Sequence, residues 1–362
     1  MIEKLTSLLF LFNLGILSVC NLFQKDRAFS ENENRPLAQA PELSLSHIFG
    51  GNFDDDFEKW FTDQFIGRDQ WIASKSFFKK ATGSIENNDV YYGKDGYLIR
   101  RFQTYPQRTF QQNIQVIQDF ANNQSTPLHM VLVPTICDTQ QQRLPFGSWN
   151  SNQENLIKQV YQALPEEDFI WVHSLLKDGD MYYKTDHHWN EKGAYQVYQE
   201  IAKQVLQKEP NTFHFEQVSN NFYGTMYSRS GAFWTKPDAI YEIVADQPFT
   251  AKVTYDQEKT TESLFASERL NEKDQYTYYL DGNHPYVNIQ TSNTNGKHAL
   301  VIKDSYAHIL VPFLASEYQE IDMVDLRYYH EVVSELVKEN TDIYFIYSID
   351  NFAQDPNIIF LE

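Results

Sequence analysis

Between residues 299 and 308 the chain reads ALVIKDSYAH. The four apolar residues at its head suit a short buried strand, which stops at Asp304-Ser305 and gives way to a helix-compatible run. A serine at the carboxyl end of a central strand, where a helix opens, gains backbone N–H groups and the positive end of the helix dipole for a developing oxyanion. That placement makes Ser305 a candidate nucleophile and sets the fold to be looked for around it.

Outward from this stretch, helices and apolar strands alternate. Phe110, Ile114, Ile117 and Phe120 mark one helix face, and MVLVP at 130–134 is a short buried strand. A helix near 152–163 precedes a strand expected at DFIWVHS, 168–174. IDMVDL at 321–326 and DIYFIYS at 342–348 are further strands. Alternation at this spacing implies a mostly parallel sheet covered on both faces, a three-layer α/β/α domain. The stretch 208–296 breaks the rhythm with Tyr- and Thr-rich pieces and reads as a partly antiparallel insertion. Upstream, Phe53, Phe57, Trp60, Phe61 and Phe65 at helical spacing predict a helix within 53–82.

A base for the serine is offered by KTDHHWN at 184–190. In an extended segment Asp186 and His188 would share a face and His187 would point away. Asn190 is a good N-cap for a helix with Ala194, Val197, Tyr198, Ile201 and Val205 as its apolar stripe. The expected roles are Ser305 as nucleophile, His188 as general base then acid, and Asp186 fixing the imidazole tautomer. A metal at Asp186, His187 and His188 is disfavoured because neighbours on opposite faces chelate poorly and no H-E-x-x-H pattern occurs. No metal and no cofactor is therefore expected. His308 would lie near the site as a supporting residue.

The chain has 362 residues, 42% of them hydrophobic, with 30 basic against 49 acidic side chains and a net charge of −19. That balance excludes nucleic acid as a general partner. From Leu5 to Phe23 nineteen residues carry no charge, about the length that spans a bilayer as a helix. No small-residue cleavage site closes the run, so residues 1–24 read as an uncleaved anchor with the rest extracytoplasmic. Residues 25–47, with ENRPLAQAP at 33–41, read as a linker, and 48–362 as the folded domain. Cys20 and Cys137 are the only cysteines, and the first lies in the expected anchor, so no internal disulfide is expected.

TDHHWNEKGAY, KDSYAH, ENRPLAQAP, VYYGKDGYL at 90–98, LVPT at 132–135 and DGNHP at 281–285 together resemble the DHHW family of bacterial exported proteins. That family is similar to the SGNH-hydrolase-like domain of alginate O-acetyltransferases of the AlgJ and AlgX type. The resemblance runs from about 33 to 350. It implies a flavodoxin-like domain of SGNH type with the triad permuted, Asp186 and His188 preceding Ser305. It also implies O-acyl transfer, with acetyl as the group, onto a cell-surface or secreted polysaccharide, the acyl delivered by a membrane-bound O-acyltransferase partner. A carbohydrate esterase using the same triad and a non-catalytic glycan-binding scaffold are the rival readings.

Further candidates for substrate or oxyanion contacts are Asn283 in DGNHP, Asp304 and Tyr306 beside the serine, Arg327 after the strand at 321–326, and Arg229 in FYGTMYSRSGAFW at 222–234. The resemblance has one departure: Lys303 stands where the serine motif usually has glycine. A side chain there is expected to narrow the approach to the oxyanion.

Overall fold

The computed structural model describes residues 2–51, 53–102, 104–149, 152–165 and 169–361. The chain divides into two compact units, the first of residues 1–88 and 227–235, the second of 89–226 and 236–362.

The first unit runs α1 (Ile2–Leu22), β1 (Phe29–Ser30), β2 (Arg35–Pro36), α2 (Leu45–Phe49), α3 (Phe53–Asp63), α4 (Arg68–Ala81) and β3 (Glu86–Asn87). The helix expected over 53–82 is thus two, broken at Gly67, whose φ of 68° is a left-handed conformation that glycine tolerates. The segment expected as a linker is folded. β1 and β2 pair antiparallel, Arg35 forms a two-point ion pair with Asp63, Ala38 N–H donates to Asp63 Oδ2 at 2.9 Å, and Leu37 is buried. Among the described residues no helix is long and apolar enough to cross a membrane. The stretch expected as an anchor includes Phe10, Asn13, Leu14 and Leu22, whose side chains lie outside the described residues.

The second unit continues with β4 (Val90–Tyr92), β5 (Leu98–Arg100), α5 (Gln107–Asn123), β6 (Leu128–Val133), α6 (Ile136–Thr139), α7 (Gln153–Tyr161) and α8 (Glu191–Gln204). Then come β7 (Phe213–Phe222), α9 (Thr225–Ser230), whose residues from 227 on belong to the first unit, β8 (Asp238–Ala245), β9 (Ala251–Tyr255), β10 (Lys259–Thr261) and β11 (Tyr286–Thr291). β12 (His298–Lys303), α10 (Val311–Leu314), β13 (Glu320–Val324), β14 (Thr341–Ser348) and α11 (Ile349–Phe352) complete it. Seven strands form one mixed sheet in the order β10-β9-β11-β13-β12-β14-β6. The expected α/β class is met, with β13, β12, β14 and β6 parallel and β11, β9 and β10 antiparallel at one side. Every residue of β12 is buried, as a strand covered on both faces requires.

Residues 208–296 are partly antiparallel, as expected, but are not a separate insertion. They supply β9, β10 and β11, three of the seven strands of the main sheet, beside the separate β7–β8 ladder. The pattern AKVTY, with Ala251, Val253 and Tyr255 buried, is the alternation of a strand with one face inward. The strand expected over 168–174 is also different. Asp168 lies outside the described residues, Phe169 makes a single parallel bridge to Met130, and His173–Leu176 is a 3-10 turn.

The parallel strands bring their carboxyl ends together, which is where open α/β sheets gather ligands. Asp304-Ser305 follows β12, Asp325–Arg327 follows β13, Ser348 ends β14 ahead of Ile349–Asn351, and Pro134-Thr135 follows β6. α8 sits behind the DHHW segment as expected. Asn190 Oδ1 accepts from Lys192 N and Gly193 N, and Ala194, Val197, Tyr198 and Ile201 are buried.

Candidate active site

The chain after β12 is shaped by Asp304. Its Oδ1 accepts the Tyr306 N–H at 2.9 Å, capping a 3-10 turn over Ser305–Ala307. Its Oδ2 accepts from Ser348 N at 2.8 Å, Ser348 Oγ at 3.0 Å and Asn351 Nδ2 at 2.8 Å. One carboxylate therefore ties the ends of two adjacent strands together and leaves Ser305 half-buried at the rim. Asp304 is a bracing residue here, its four hydrogen bonds all made within the protein. The expected helix after Ser305 is only this turn and the four-residue α10.

The DHHW segment is drawn to this turn by Trp189, fully buried, whose indole N–H donates to Tyr306 O at 2.9 Å. Tyr306 in turn donates its hydroxyl to His187 O. His188 Nε2 comes to 2.7 Å from Ser305 Oγ, and His188 Nδ1 to 2.6 Å from Asp186 Oδ1. Three side chains predicted from motifs 117 residues apart thus form one continuous relay.

The expected reason for the pairing is corrected. Residues 184–188 are bent, not extended, so the alternation of faces does not apply. Asp186 reaches His188 because its Oδ1 also accepts the His188 backbone N–H at 3.0 Å. His187 does not point away. Its Nδ1 lies 3.2 Å from Asp186 Oδ1 and 2.9 Å from Thr225 Oγ1, and its ring is 3.9 Å from that of His188. Asp186, His187 and His188 consequently bring one ligand atom each within 4.8 Å of one another, an arrangement a metal ion could use. Both Asp186 oxygens are already engaged by N–H and O–H donors, Oδ2 by Thr225 N at 2.8 Å and Thr225 Oγ1 at 2.9 Å. A carboxylate so occupied suits orienting an imidazole.

Burial works against the Asp186 charge, yet the two imidazoles beside it and their hydrogen bonds hold its carboxyl well below the usual range. His188 is pushed down to about 4 by burial first and then by His187, against the pull of Asp186. It is a free base at neutral pH, the form that takes a proton from a serine hydroxyl.

Sequence reasoning missed Thr225, Gly224 and Tyr276. Added to Gly224, a methyl would collide with Asp186, so glycine is needed for the backbone to pass the carboxylate. Tyr276 lies flat on the His188 ring, and its hydroxyl donates to Ser305 O at 3.0 Å. Gly224-Thr225 carried a signal only as part of the segment 222–234, and Tyr276 had none among many tyrosines.

The remaining candidates divide. Asn283 and Arg327 meet at the rim, Arg327 Nη2 donating to Asn283 Oδ1 at 3.1 Å. Lys303 does not narrow the approach to Ser305. Its ammonium is buried against Asp325 Oδ2 at 2.9 Å and His308 Nε2 at 2.8 Å. Arg229 belongs to the first unit, where its Nε donates to Asn88 O, whereas the relay lies wholly in the second. The Ser305 backbone N–H has no acceptor among the described residues.

The family described as SGNH hydrolase-like domain, acetyltransferase AlgX matches residues 90–272, half of the chain. The chain belongs to that family. The matched stretch contains Asp186 and His188 and ends before Ser305. Among solved structures, a DHHW family protein from Eubacterium siraeum DSM 15702 is 21% identical with a TM-score of 0.65, over 76% of this chain and 96% of that one. Bacillus cereus PatB1 is 24% identical with a TM-score of 0.60, over 73% and 97%. PatB1 with a sulfonyl adduct is 22% identical with a TM-score of 0.59, over 73% and 96%. At these identities the likeness shows the fold. No curated protein sequence matches the chain. Membership supports an enzyme of the SGNH hydrolase-like acetyltransferase kind.

Proposed function

We propose that the protein is an O-acyltransferase, with acetyl as the group, that modifies a cell-surface or secreted polysaccharide through a serine acyl-enzyme. The observation that carries this reading is the unbroken relay Asp186–His188–Ser305, with hydrogen bonds of 2.6 and 2.7 Å, at the open ends of the parallel strands. His188 takes the Ser305 proton as Oγ attacks the carbonyl carbon of the acyl donor. The same imidazolium then protonates the leaving group as the tetrahedral intermediate collapses. In the second half His188 deprotonates a sugar hydroxyl, which attacks the acyl-serine, and returns that proton to Ser305 Oγ. Asp186 keeps the tautomer with Nδ1–H inward and balances the imidazolium. The Ser305 N–H is the assigned oxyanion donor, and Arg327 with Asn283 forms the rim a substrate passes.

The triad order, with Asp186 and His188 ahead of Ser305, belongs to this reading. So do an N-terminal anchor at residues 5–23, an extracytoplasmic catalytic domain and a membrane-bound O-acyltransferase as acyl source. An anchor would keep the domain near such a partner and raise its effective concentration.

The test is a sulfonyl fluoride or fluorophosphonate probe followed by a transfer assay. Wild-type protein is expected to label at Ser305 and Ser305→Ala not at all. With an acetyl-ester donor and a glycan acceptor, acetylated glycan supports transfer, whereas acetate released without acetylated glycan moves the reading to an esterase. A folded wild-type protein that binds glycan but never labels would make it a scaffold.

A further inference from the structure

Lys303 is the last residue of β12, two positions before the candidate nucleophile, and is 1% exposed. A buried lysine needs an anion or it loses its charge. Asp325, which is fully buried just beyond β13, supplies one, its Oδ2 lying 2.9 Å from Lys303 Nζ. Arg327 holds the same carboxylate from the other side, Nε to Oδ1 at 2.8 Å and Nη2 to Oδ2 at 2.6 Å. Two cations thus share one carboxylate, and Arg327 is fixed where it also reaches Asn283.

The ammonium has a second partner. Lys303 Nζ lies 2.8 Å from His308 Nε2. An ammonium only donates, so that nitrogen must carry the lone pair and the His308 proton must sit on Nδ1. His308 Nδ1 is buried with no partner among the described residues. Burial, Lys303, His188, Arg327 and His284, in that order, all disfavour charge on His308, and Tyr276 stacks against it at 6.1 Å. Tyr276 is the ring that also lies on His188.

We infer that Lys303 is a positioning residue that locks His308 as a neutral Nδ1–H imidazole and pins the Asp325–Arg327 pair beside Ser305. The inference rests on Ser305 as nucleophile. Without the ammonium, His308 is free to change tautomer or to take a proton, and a cation there would oppose the imidazolium that His188 must become. A glycine at 303, as in the usual serine motif, offers no such lock.

Nuclear magnetic resonance of the full chain in detergent micelles, with 15N-labelled histidine and His308→Gln for assignment, tests it. Wild-type His308 is expected as the Nδ1–H tautomer without titration from pH 5 to 8. In Lys303→Met the expected results are titration or a switch to Nε2–H, and a fall of at least tenfold in the rate of fluorophosphonate labelling at pH 7. An Nε2–H tautomer or a titrating His308 in the wild type overturns the inference, and does not depend on the Lys303→Met protein folding. So does a Lys303→Met protein with wild-type labelling rate and pH profile. If wild-type Ser305 never labels, the nucleophile assignment fails by itself, while the tautomer measurement still decides the lock.

Discussion

The ring of Tyr276 lies parallel to that of His188, 3.8 Å between centroids and 8° between planes. It covers one face of the imidazole and shuts water out, so the ring contributes to keeping His188 neutral as well as to holding it in line with Ser305. Tyr276→Phe keeps the ring and loses the bond to Ser305 O, so labelling is expected to slow only severalfold. Tyr276→Ala opens the face. It is expected to slow labelling about 10- to 100-fold and to move the His188 midpoint upward, read from the pH profile of the rate.

Asp186→Asn keeps the shape and removes the charge that sets the tautomer. Its amide can present an N–H where His188 Nδ1–H needs an acceptor. Labelling of Ser305 is expected to fall by roughly 10²–10⁴, the range of general-base loss, with the thermal midpoint little changed. A wild-type rate in a folded Asp186→Asn protein would remove this residue from the mechanism.

His188 has its folded value lowered to about 4, below the unfolded value. The free base is therefore fully present well above pH 4, and the rate falls as pH drops through that value. Between the unfolded value and 4 the unfolded chain binds the proton first, so this residue also subtracts stability as pH falls. His187→Gln removes the second-largest cause of the lowering. The acidic limb of the labelling rate is expected to shift upward, measured from pH 4 to 8.

Gly224→Ala would push a methyl into Asp186. The carboxylate must move, and both its relay to His188 and its bonds from Thr225 stretch. Labelling is expected to fall about 100-fold, comparable to losing the base. A crystal structure of the variant with Asp186 in place and a normal rate would contradict the account.

Asp304→Ala leaves the Tyr306 and Ser348 N–H groups and the Asn351 amide without their acceptor. Unsatisfied buried donors cost about 1–3 kcal/mol each, so a destabilisation of roughly 3 kcal/mol or more is expected in urea melts. Asp304→Asn, which keeps one acceptor, should cost less.

The relay was legible because its members sit in local patterns with chemical meaning: an acid and a base at DHH, a serine where an apolar strand stops. Strands β6, β12, β13 and β14 were legible as apolar runs, and α5 and α8 as periodic stripes. That the antiparallel strands of 208–296 join the main sheet was not. Those strands look like polar Thr- and Tyr-rich segments until one face is known to be buried, and a partner strand far along the chain decides which face that is. Likewise the place of His187, and Thr225 and Tyr276 altogether, could not be read locally, since only the bend at 184–188 and the approach of α9 and of the turn at Gln275–Tyr278 make them neighbours of the acid and the base.

By itself the sequence pointed to the α/β class and to Asp186, His188 and Ser305 as side chains that belong together, because these depend on short-range periodicity and on residue chemistry. Tertiary structure alone decided where Lys303 points, how Asp186 is shared between two imidazoles, and which ring covers His188. Those outcomes depend on contacts such as Lys303 with Asp325, Asp186 with Thr225 and His188 with Tyr276, made between different elements of the fold, and on the free-energy cost of leaving buried charges and donors unpaired, which no local pattern encodes.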